Sequence, residues 1–549
     1  MVIEPNRLLQ PDVYPHRVGQ LELMETHISW VVLTGDWAYK LKKPVNYGFL
    51  DYSTLERRKN FCFEELRLNR RLAPEVYVEV VTLNQQDGKL AFQGAGEVVE
   101  YAVKMRQFPQ AGLYDRQLSQ GRLGPSQLDQ LGRLVAHFHQ QAARAPEDSE
   151  FGQPDQVQSP CLDNFSTLYK LEPDHRSSLE QLVHWTETEF ERLKPQLKAR
   201  KQMGFIRELH GDLHLGNVAE IAGHPVPFDG IEFDPELRWV DTMNDLAFLV
   251  SDLEHRERPD LGRIARDAYL EETGDYEGLA LWDFYILYRW MVRAKVVALK
   301  KAQGHPEVAG EIAVYLSQAK ARTQPRPVRL VVTHGLSGSG KSYYSQNLLQ
   351  QEDIVRLRSD ILRKSLNGLS PASQSGSGLG QGLYSADQGQ RTYQALAEKA
   401  RRVCGDRRRL PETGPAGSLP RTGPGPRCSV SDRFNGSLAR SFNGENQPAP
   451  GTGLRRLGGR PFRVASSARD PRTDRPRRKR CDIRNRLSRG RYALALTDPA
   501  GSVPPLGNDV TNRTRINRLA NIVVHPRLQT ELTVPAHGVG GHGNDDGSV

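Results

Sequence analysis

Residues 335–342 read Gly335-Leu336-Ser337-Gly338-Ser339-Gly340-Lys341-Ser342. This G-x-x-x-x-G-K-[ST] string demands a strand, a tight glycine loop and a helix start, in that order. The apolar run 328–332 supplies the strand, and residues 343–351 continue as a helix. In such a loop the backbone N–H groups of Gly335, Ser337, Gly338, Ser339 and Gly340 turn inward on nucleotide phosphates. Lys341 is then expected to reach the β/γ oxygens and the Ser342 hydroxyl to ligate Mg²⁺, which makes ATP and Mg²⁺ the expected cofactors. The bland alternative is a Gly/Ser turn, and the flanking strand and helix weigh against it.

A chain of 549 residues is too long for one core and should hold about three or four units. Its charge is split. Residues 401–549 carry 28 basic residues, 27 of them Arg, against 12 acidic ones, a net +16, whereas residues 1–400 carry a net −6. The five cysteines (Cys62, Cys161, Cys404, Cys428, Cys481) have no paired spacing, which argues for a reducing compartment and against a disulfide frame or zinc site. Met1–Gln10 is polar where a signal peptide would be apolar, and no run of 18 apolar residues occurs. A cytoplasmic protein without a membrane partner is expected.

From about residue 17 to 103 the pattern reads as an antiparallel sheet with one inserted helix. Residues 28–33 and 37–42 form two strands around Thr34-Gly35-Asp36, residues 52–72 have helical spacing stopped at Ala73-Pro74, and 76–83 and 97–105 alternate as strands. From Ser126 onward the apolar positions fall at helical spacing. A β-rich lobe followed by a larger helical lobe is the layout of a bilobal kinase. Residues 283–300 read as a buried helix, and 322–327 as a polar, proline-broken linker before a new unit at Val328.

Within the helical lobe stands His210-Gly211-Asp212-Leu213-His214-Leu215-Gly216-Asn217, followed by Asp229 in Val226-Pro227-Phe228-Asp229. Phosphoryl transfer needs a carboxylate to orient the acceptor hydroxyl and oxygen ligands to hold Mg²⁺ against ATP. An Asp-x-x-x-x-Asn loop with a second Asp beyond the next hairpin (218–221 and 226–228) supplies both. On these residues the chain resembles the aminoglycoside phosphotransferase and choline kinase group of protein-kinase-like folds. More closely, it resembles bacterial two-domain proteins that fuse such a domain to a P-loop (AAA/zeta-toxin-like) small-molecule kinase domain.

The resemblance implies Asp212 as catalytic base, Asn217 and Asp229 as metal ligands, and Asp245 as a brace for the catalytic loop, with His210 and His214 in structural support. It also implies a phosphate-contacting lysine on the strand Ala38-Tyr39-Lys40, with Glu65 as its ion-pair partner. Alternation puts Lys40 and Lys42 on one strand face, so both are candidates, with Lys40 favoured. An ordinary surface pair is the alternative for Lys40 and Glu65. One departure stands out: Thr34-Gly35-Asp36 is the only glycine turn before Lys40.

After the phosphate loop, residues 354–357 read as a second strand, and Asp360 and Arg363 at its end are candidates for substrate contact. A helix N-cap at Ser359 or Asp360 is the alternative. A P-loop sheet then requires further strands. From Cys404 the chain instead turns Arg/Pro/Gly-rich. Three readings compete for 404–549: an Arg-rich arm for nucleic acid, a disordered segment, or a shifted reading frame. The third is favoured, because Asp406-Arg407-Arg408-Arg409 encoded with CGT codons reads Ile-Val-Val one base later, a strand where one is missing.

The expected fold is therefore an α+β bilobal protein-kinase-like domain (1–322), an incomplete α/β P-loop NTPase domain (328–403) and a largely disordered Arg-rich tail (404–549). The expected function is ATP-dependent transfer of a γ-phosphate to a small-molecule hydroxyl, with a second ATP-binding site. The alternatives are a catalytically weak ATP-binding regulator, a motor-type ATPase, or a nucleic-acid binder acting through the basic tail.

Overall fold

The computed structural model describes residues 3–48, 50–326, 329–334, 340–371, 373, 382–406 and 519–525. The chain begins with a β-rich lobe: β1 (Glu22–Glu25), β2 (Ser29–Leu33), β3 (Trp37–Lys42), α1 (Leu55–Asn69), β4 (Tyr77–Gln86), β5 (Lys89–Phe92) and β6 (Glu97–Arg106). The six strands form one antiparallel sheet in the order β1-β2-β3-β6-β4-β5. Strand alternation gives β3 two different faces. Tyr39 and Leu41 join a core closed by the N-terminal residues Leu8, Val13 and Tyr14. Ala38 joins a second core with Cys62 and Leu66 of α1, and Lys40 and Lys42 share that face. Thr54 caps α1 by accepting from the Arg57 amide at 3.3 Å.

The helical lobe follows: α2 (Tyr114–Ser119), α3 (Pro125–Gln141), α4 (Pro154–Leu171), α5 (Arg176–Gln202), β7 (Ile206–Glu208), β8 (Val218–Ile221), β9 (His224–Pro227), α6 (Pro235–Arg238), β10 (Trp239–Asp241), α7 (Thr242–His255), α8 (Pro259–Thr273), α9 (Trp282–Ala302) and α10 (Ala309–Thr323). α7 and α9 are buried along most of their lengths and form the centre of the largest core. The β-rich lobe followed by a helical lobe is the bilobal arrangement expected from the resemblance. Glu208 ties the two lobes together, accepting from Arg67 of α1 at 2.7 Å and from Arg238 at 3.2 Å.

The P-loop unit comprises β11 (Arg329–His334), α11 (Lys341–Gln351), β12 (Val355–Arg358), α12 (Ser359–Ser365), α13 (Ala386–Asp406) and β13 (Leu519–His525). Its sheet runs β11-β13-β12, with β13 antiparallel to both neighbours, so β11 and β12 are parallel to each other and one strand width apart. Residues 519–525, from the stretch beyond 404, occupy the middle of this sheet. Residues 407–518 and 526–549, which hold the rest of the proposed disordered or out-of-frame tail, lie outside the described residues, as does most of the Gly/Ser-rich stretch 370–382.

The unit packs directly on the helical lobe, and one apolar core runs from α7 and α9 through Leu349, Ile354, Leu357, Tyr393 and Leu396. α8 presents buried charges of both signs to it. Arg263 donates to the Leu349 carbonyl at 2.7 Å, Arg266 pairs with Asp353 at 2.9 Å, Asp267 accepts from Arg356 at 3.0 Å, and Glu271 accepts from Arg358 at 3.2 Å. The segment read as a polar linker is likewise held: Arg322 pairs with Asp283 at 3.1 Å, and Arg326 with Asp353 at 3.3 Å.

Candidate active site

β3 and α1 bring Lys40 and Glu65 together, Nζ to Oε1, at 2.8 Å with both side chains buried. The surface-pair alternative is thereby removed. Glu65 is fully buried and bridges both lysines, its Oε2 accepting from Lys42 at 2.5 Å. The two lysines then diverge. Lys42, with no exposure, turns to the buried Glu232, which also accepts from the Tyr52 hydroxyl at 2.5 Å. Lys40 keeps slight exposure and bonds Asp229 across the interlobe cleft. Burial opposes the charge on each lysine, yet the flanking carboxylates hold both ammonium pKa values above the usual range. Burial likewise opposes ionisation of Glu65, and the two lysines hold its carboxyl below the ordinary value.

The Thr34-Gly35-Asp36 turn joins β2 to β3, and two of its amides are committed: Gln107 Oε1 accepts from Thr34 at 3.1 Å and from Gly35 at 2.9 Å. The hairpin ahead of it, between β1 and β2, turns through Thr26-His27-Ile28 and contains no glycine.

The catalytic-loop candidates sit between β7 and β8. Gly211 adopts φ +82°, and a Cβ there would meet the Leu237 carbonyl at 2.7 Å, so glycine is required before Asp212. Asp245 braces the loop from α7, accepting from the Gly211 amide at 2.8 Å and the His210 amide at 3.4 Å. His210 bonds the Phe228 carbonyl at 2.9 Å and accepts from the Asp212 amide at 3.3 Å. Burial pushes its ring pKa down, which suits a neutral ring donating at Nε2 and accepting at Nδ1. His214 accepts from the Gly216 amide at 3.1 Å and lies 3.4 Å from Asp212 Oδ2.

Asn217 Nδ2 donates to Asp212 Oδ2 and to its carbonyl, both at 3.0 Å. Its backbone carbonyl accepts from Phe228 at 2.9 Å, which carries the chain directly into Asp229. Asp229 itself has φ +63°, a left-handed conformation uncommon outside glycine. Its amide is held by the Tyr77 hydroxyl at 3.2 Å, and the next amide, Gly230, by Asn69 at 2.8 Å. One hydrogen-bonded layer therefore joins Asp212, Asn217, Asp229, Lys40 and Glu65. Burial works against the charge on Asp212, but His214 and His210 hold its carboxyl well below the usual range.

The donor set fits Mg²⁺. Asn217 Oδ1 makes no hydrogen bond among the described residues, and the Asp229 carboxylate is 42% exposed toward the cleft. Two hard oxygen ligands leave the remaining positions to phosphate and water, the usual arrangement for this ion.

In the P-loop unit, Gly335, Ser337, Gly338 and Ser339 lie outside the described residues. Gly340, with φ +86°, forms the N-cap of α11, so Lys341 and Ser342 open the helix as the motif requires. Asp360 pairs with Arg358 at 2.7 Å, and Arg363 hydrogen-bonds Tyr393. The N-cap of α12 is Arg358, without a side-chain cap bond, which corrects the alternative of a cap at Ser359 or Asp360.

Sequence reasoning missed Glu232 as the partner of Lys42, and missed Tyr77, Asn69 and His139. His139 Nε2 lies 3.1 Å from Asp245 Oδ2, and its Nδ1 lies 3.0 Å from the Tyr269 hydroxyl. The A-H-F-H pattern on α3 offered a signal for His139, since a histidine on a buried helix face needs polar partners. No helix among the described residues is long and apolar enough to cross a membrane.

Residues 330–410 match the AAA domain family model. Among solved structures, a choline/ethanolamine kinase family protein from Mesorhizobium loti aligns with a TM-score of 0.36 and 13% identity, covering 56% of this chain and 88% of that one. Spectinomycin phosphotransferase APH(9)-Ia, in complex with ADP and spectinomycin, aligns with a TM-score of 0.34 and 13% identity over 56% and 95%. The uncharacterized protein Rv2004c of Mycobacterium tuberculosis is 31% identical over 387 residues, 70% of this chain and 76% of the relative. The uncharacterized protein Mb2027c of Mycobacterium bovis gives the same figures. At that identity and coverage, the chain belongs to the family of the mycobacterial protein Rv2004c.

Proposed function

We propose that this chain is a Mg·ATP-dependent phosphotransferase acting on a hydroxyl of a small molecule, with its working site in the cleft between the first two lobes. The observation that carries the reading is the bonding that runs from the Lys40–Glu65 pair to Asp229 and, by way of the neighbouring Phe228 amide on the Asn217 carbonyl, to the Asp212–Asn217 pair. Bound Mg·ATP supplies the transferable γ-phosphoryl group and the charge neutralisation that makes it transferable. Asn217 Oδ1 and the Asp229 carboxylate would hold the ion, and Lys40, kept in place by Glu65, would contact phosphate oxygens.

Asp212 holds the acceptor. Its Oδ2 is fixed by Asn217, while Oδ1 makes no hydrogen bond among the described residues and can accept the acceptor O–H. A carboxyl held below its usual pKa is a weak base, so its main contribution is to orient the hydroxyl oxygen. It takes up the proton at Oδ1 as the acceptor oxygen bonds the γ-phosphorus and the bond from that phosphorus to the departing ADP oxygen breaks. The P-loop unit adds a second candidate nucleotide site through Gly340, Lys341 and Ser342, and the acceptor contacts proposed there remain Asp360 and Arg363.

The test is ATP turnover with a panel of sugars, aminoglycosides and amino alcohols. The intact chain is compared with Asp212→Ala and Lys341→Ala. Loss of transfer in Asp212→Ala, with retention in Lys341→Ala, is expected. The opposite pattern would move the activity to the P-loop unit.

A further inference from the structure

Beside the catalytic loop, a recess opens between α4, the α6–β10 segment and α9. Phe151, Trp239, Tyr285, Tyr288 and Arg289 are among its walls. Arg289 links the recess to the site already described, because its Nη1 donates to the carbonyl of Gly211, the residue before Asp212, at 3.1 Å.

Arg289 is only 4% exposed, yet every acceptor it reaches is a neutral amide or carbonyl oxygen: Gly211 O, Asn244 O and Asn244 Oδ1 at 2.8 Å. No carboxylate lies within ion-pair distance of it, and its Nη2 makes no hydrogen bond, among the described residues. A buried guanidinium normally has an anionic partner. The nearby carboxylates are committed elsewhere. Asp241 accepts from Arg200 Nε and Nη2 at 2.7 and 2.8 Å, Asp245 serves the catalytic loop and His139, and Glu236 is exposed to solvent.

A second group points the same way: Tyr285, 1% exposed and on the wall, has a hydroxyl with no hydrogen-bond partner. Phe151 and Trp239, also on the wall, stack with centroids 5.5 Å apart and planes 8° apart, which makes that part of the recess aromatic and apolar.

We propose that the acceptor is a hydroxylated carboxylic acid. Its carboxylate is taken by the free Nη edge of Arg289 with help from the Tyr285 hydroxyl, and its apolar or aromatic body lies against Phe151 and Trp239. One guanidinium edge and one neutral hydroxyl match the two oxygens of a monoanion. This deepens the phosphotransferase reading and rests on it for the transfer step alone.

The test uses the full chain and three probes that share a phenyl group and a secondary hydroxyl but differ in charge: mandelate, mandelamide and 2-amino-1-phenylethanol. Binding is measured by calorimetry and, separately, phosphorylation in the presence of Mg·ATP. Mandelate is expected to bind about tenfold more tightly than the amide or the amine, and Arg289→Gln to erase that preference while leaving mandelamide binding within about twofold.

Preference for the amine, absence of mandelate binding, or an equal loss for all three probes in Arg289→Gln would overturn the proposal. If Arg289→Gln does not fold, the wild-type order of the probes and a mandelate-selective loss in Tyr285→Phe decide the matter. Mandelate-selective binding without phosphorylation of any probe would leave the recess assignment standing and count against the phosphotransferase reading.

Discussion

Lys40 and Lys42 sit two residues apart on one strand face and share Glu65, yet the structure gives them different work, and replacing each with methionine separates the two roles. In Lys42→Met, Glu232 stays buried at 4% exposure with only the Tyr52 hydroxyl as partner. A buried carboxylate stripped of its cation costs about 3–5 kcal/mol. For a unit of this size that corresponds to a fall of roughly 10 °C in Tm. In Lys40→Met, Glu65 retains Lys42 at 2.5 Å and Asp229 is 42% exposed to water, so the stability cost is about 1 kcal/mol or less. Turnover should nevertheless fall by about 10²–10³, the usual loss when one preorganised donor to a developing charge is removed. The assay pairs thermal unfolding, followed by tryptophan fluorescence, with ATP turnover on the same preparations. A Lys42→Met protein with wild-type Tm, or a Lys40→Met protein with wild-type turnover, would refute the division of labour.

Four further outcomes are expected. Asp212→Asn should lower kcat by about 10²–10⁴ while leaving Tm nearly unchanged, since only hydroxyl orientation and proton acceptance are lost; an unchanged kcat would remove Asp212 from the mechanism. Gly211→Ala should destabilise by about 1–3 kcal/mol, because the left-handed φ and the Leu237 carbonyl both oppose a Cβ, and urea unfolding reads this directly. Burial opposes protonation of His214, but Asp212 raises its ring pKa overall. The stability it contributes is therefore complete below its unfolded pKa of about 6.5 and is lost as pH rises through the higher folded value. Tm plotted against pH should fall more steeply above neutrality for wild type than for His214→Asn. Finally, Arg356→Leu leaves Asp267 buried at 5% exposure without its cation; a loss of about 3 kcal/mol is expected, together with faster proteolysis of the P-loop unit.

The legible parts of this fold are those whose signal is local. The β2–β3 hairpin, α1, the β8–β9 hairpin and α9 follow from alternation or helical spacing over a few turns, and the H-G-D-x-H-x-x-N string carries its own loop. β1 and β5 were invisible because Glu-Leu-Met-Glu and Lys-Leu-Ala-Phe are too short to show a period. The choice between Lys40 and Lys42 required partners 189 and 190 residues away, and the hold on Asp229 required Tyr77 and Asn69, 152 and 161 residues back. No periodicity encodes such pairings. In the P-loop unit the shortage of strands was readable, and the family match ends at residue 410. What fills the gap was not readable, because an antiparallel strand drawn from 519–525 follows none of the short-connection rules by which a sheet is built from sequence.

α8 is a shared girder: one side meets α3, where Tyr269 touches His139 and so reaches the brace of the catalytic loop, and the other carries the charged seam against β12. Separating the chain near residue 326 would strip Arg263, Arg266 and Asp267 of the partners they have across the seam, on a helix that also underpins the first cleft. The two units are thus not interchangeable cassettes. Even a P-loop unit stripped of all nucleotide chemistry would still serve as the foundation on which the neighbouring cleft stands.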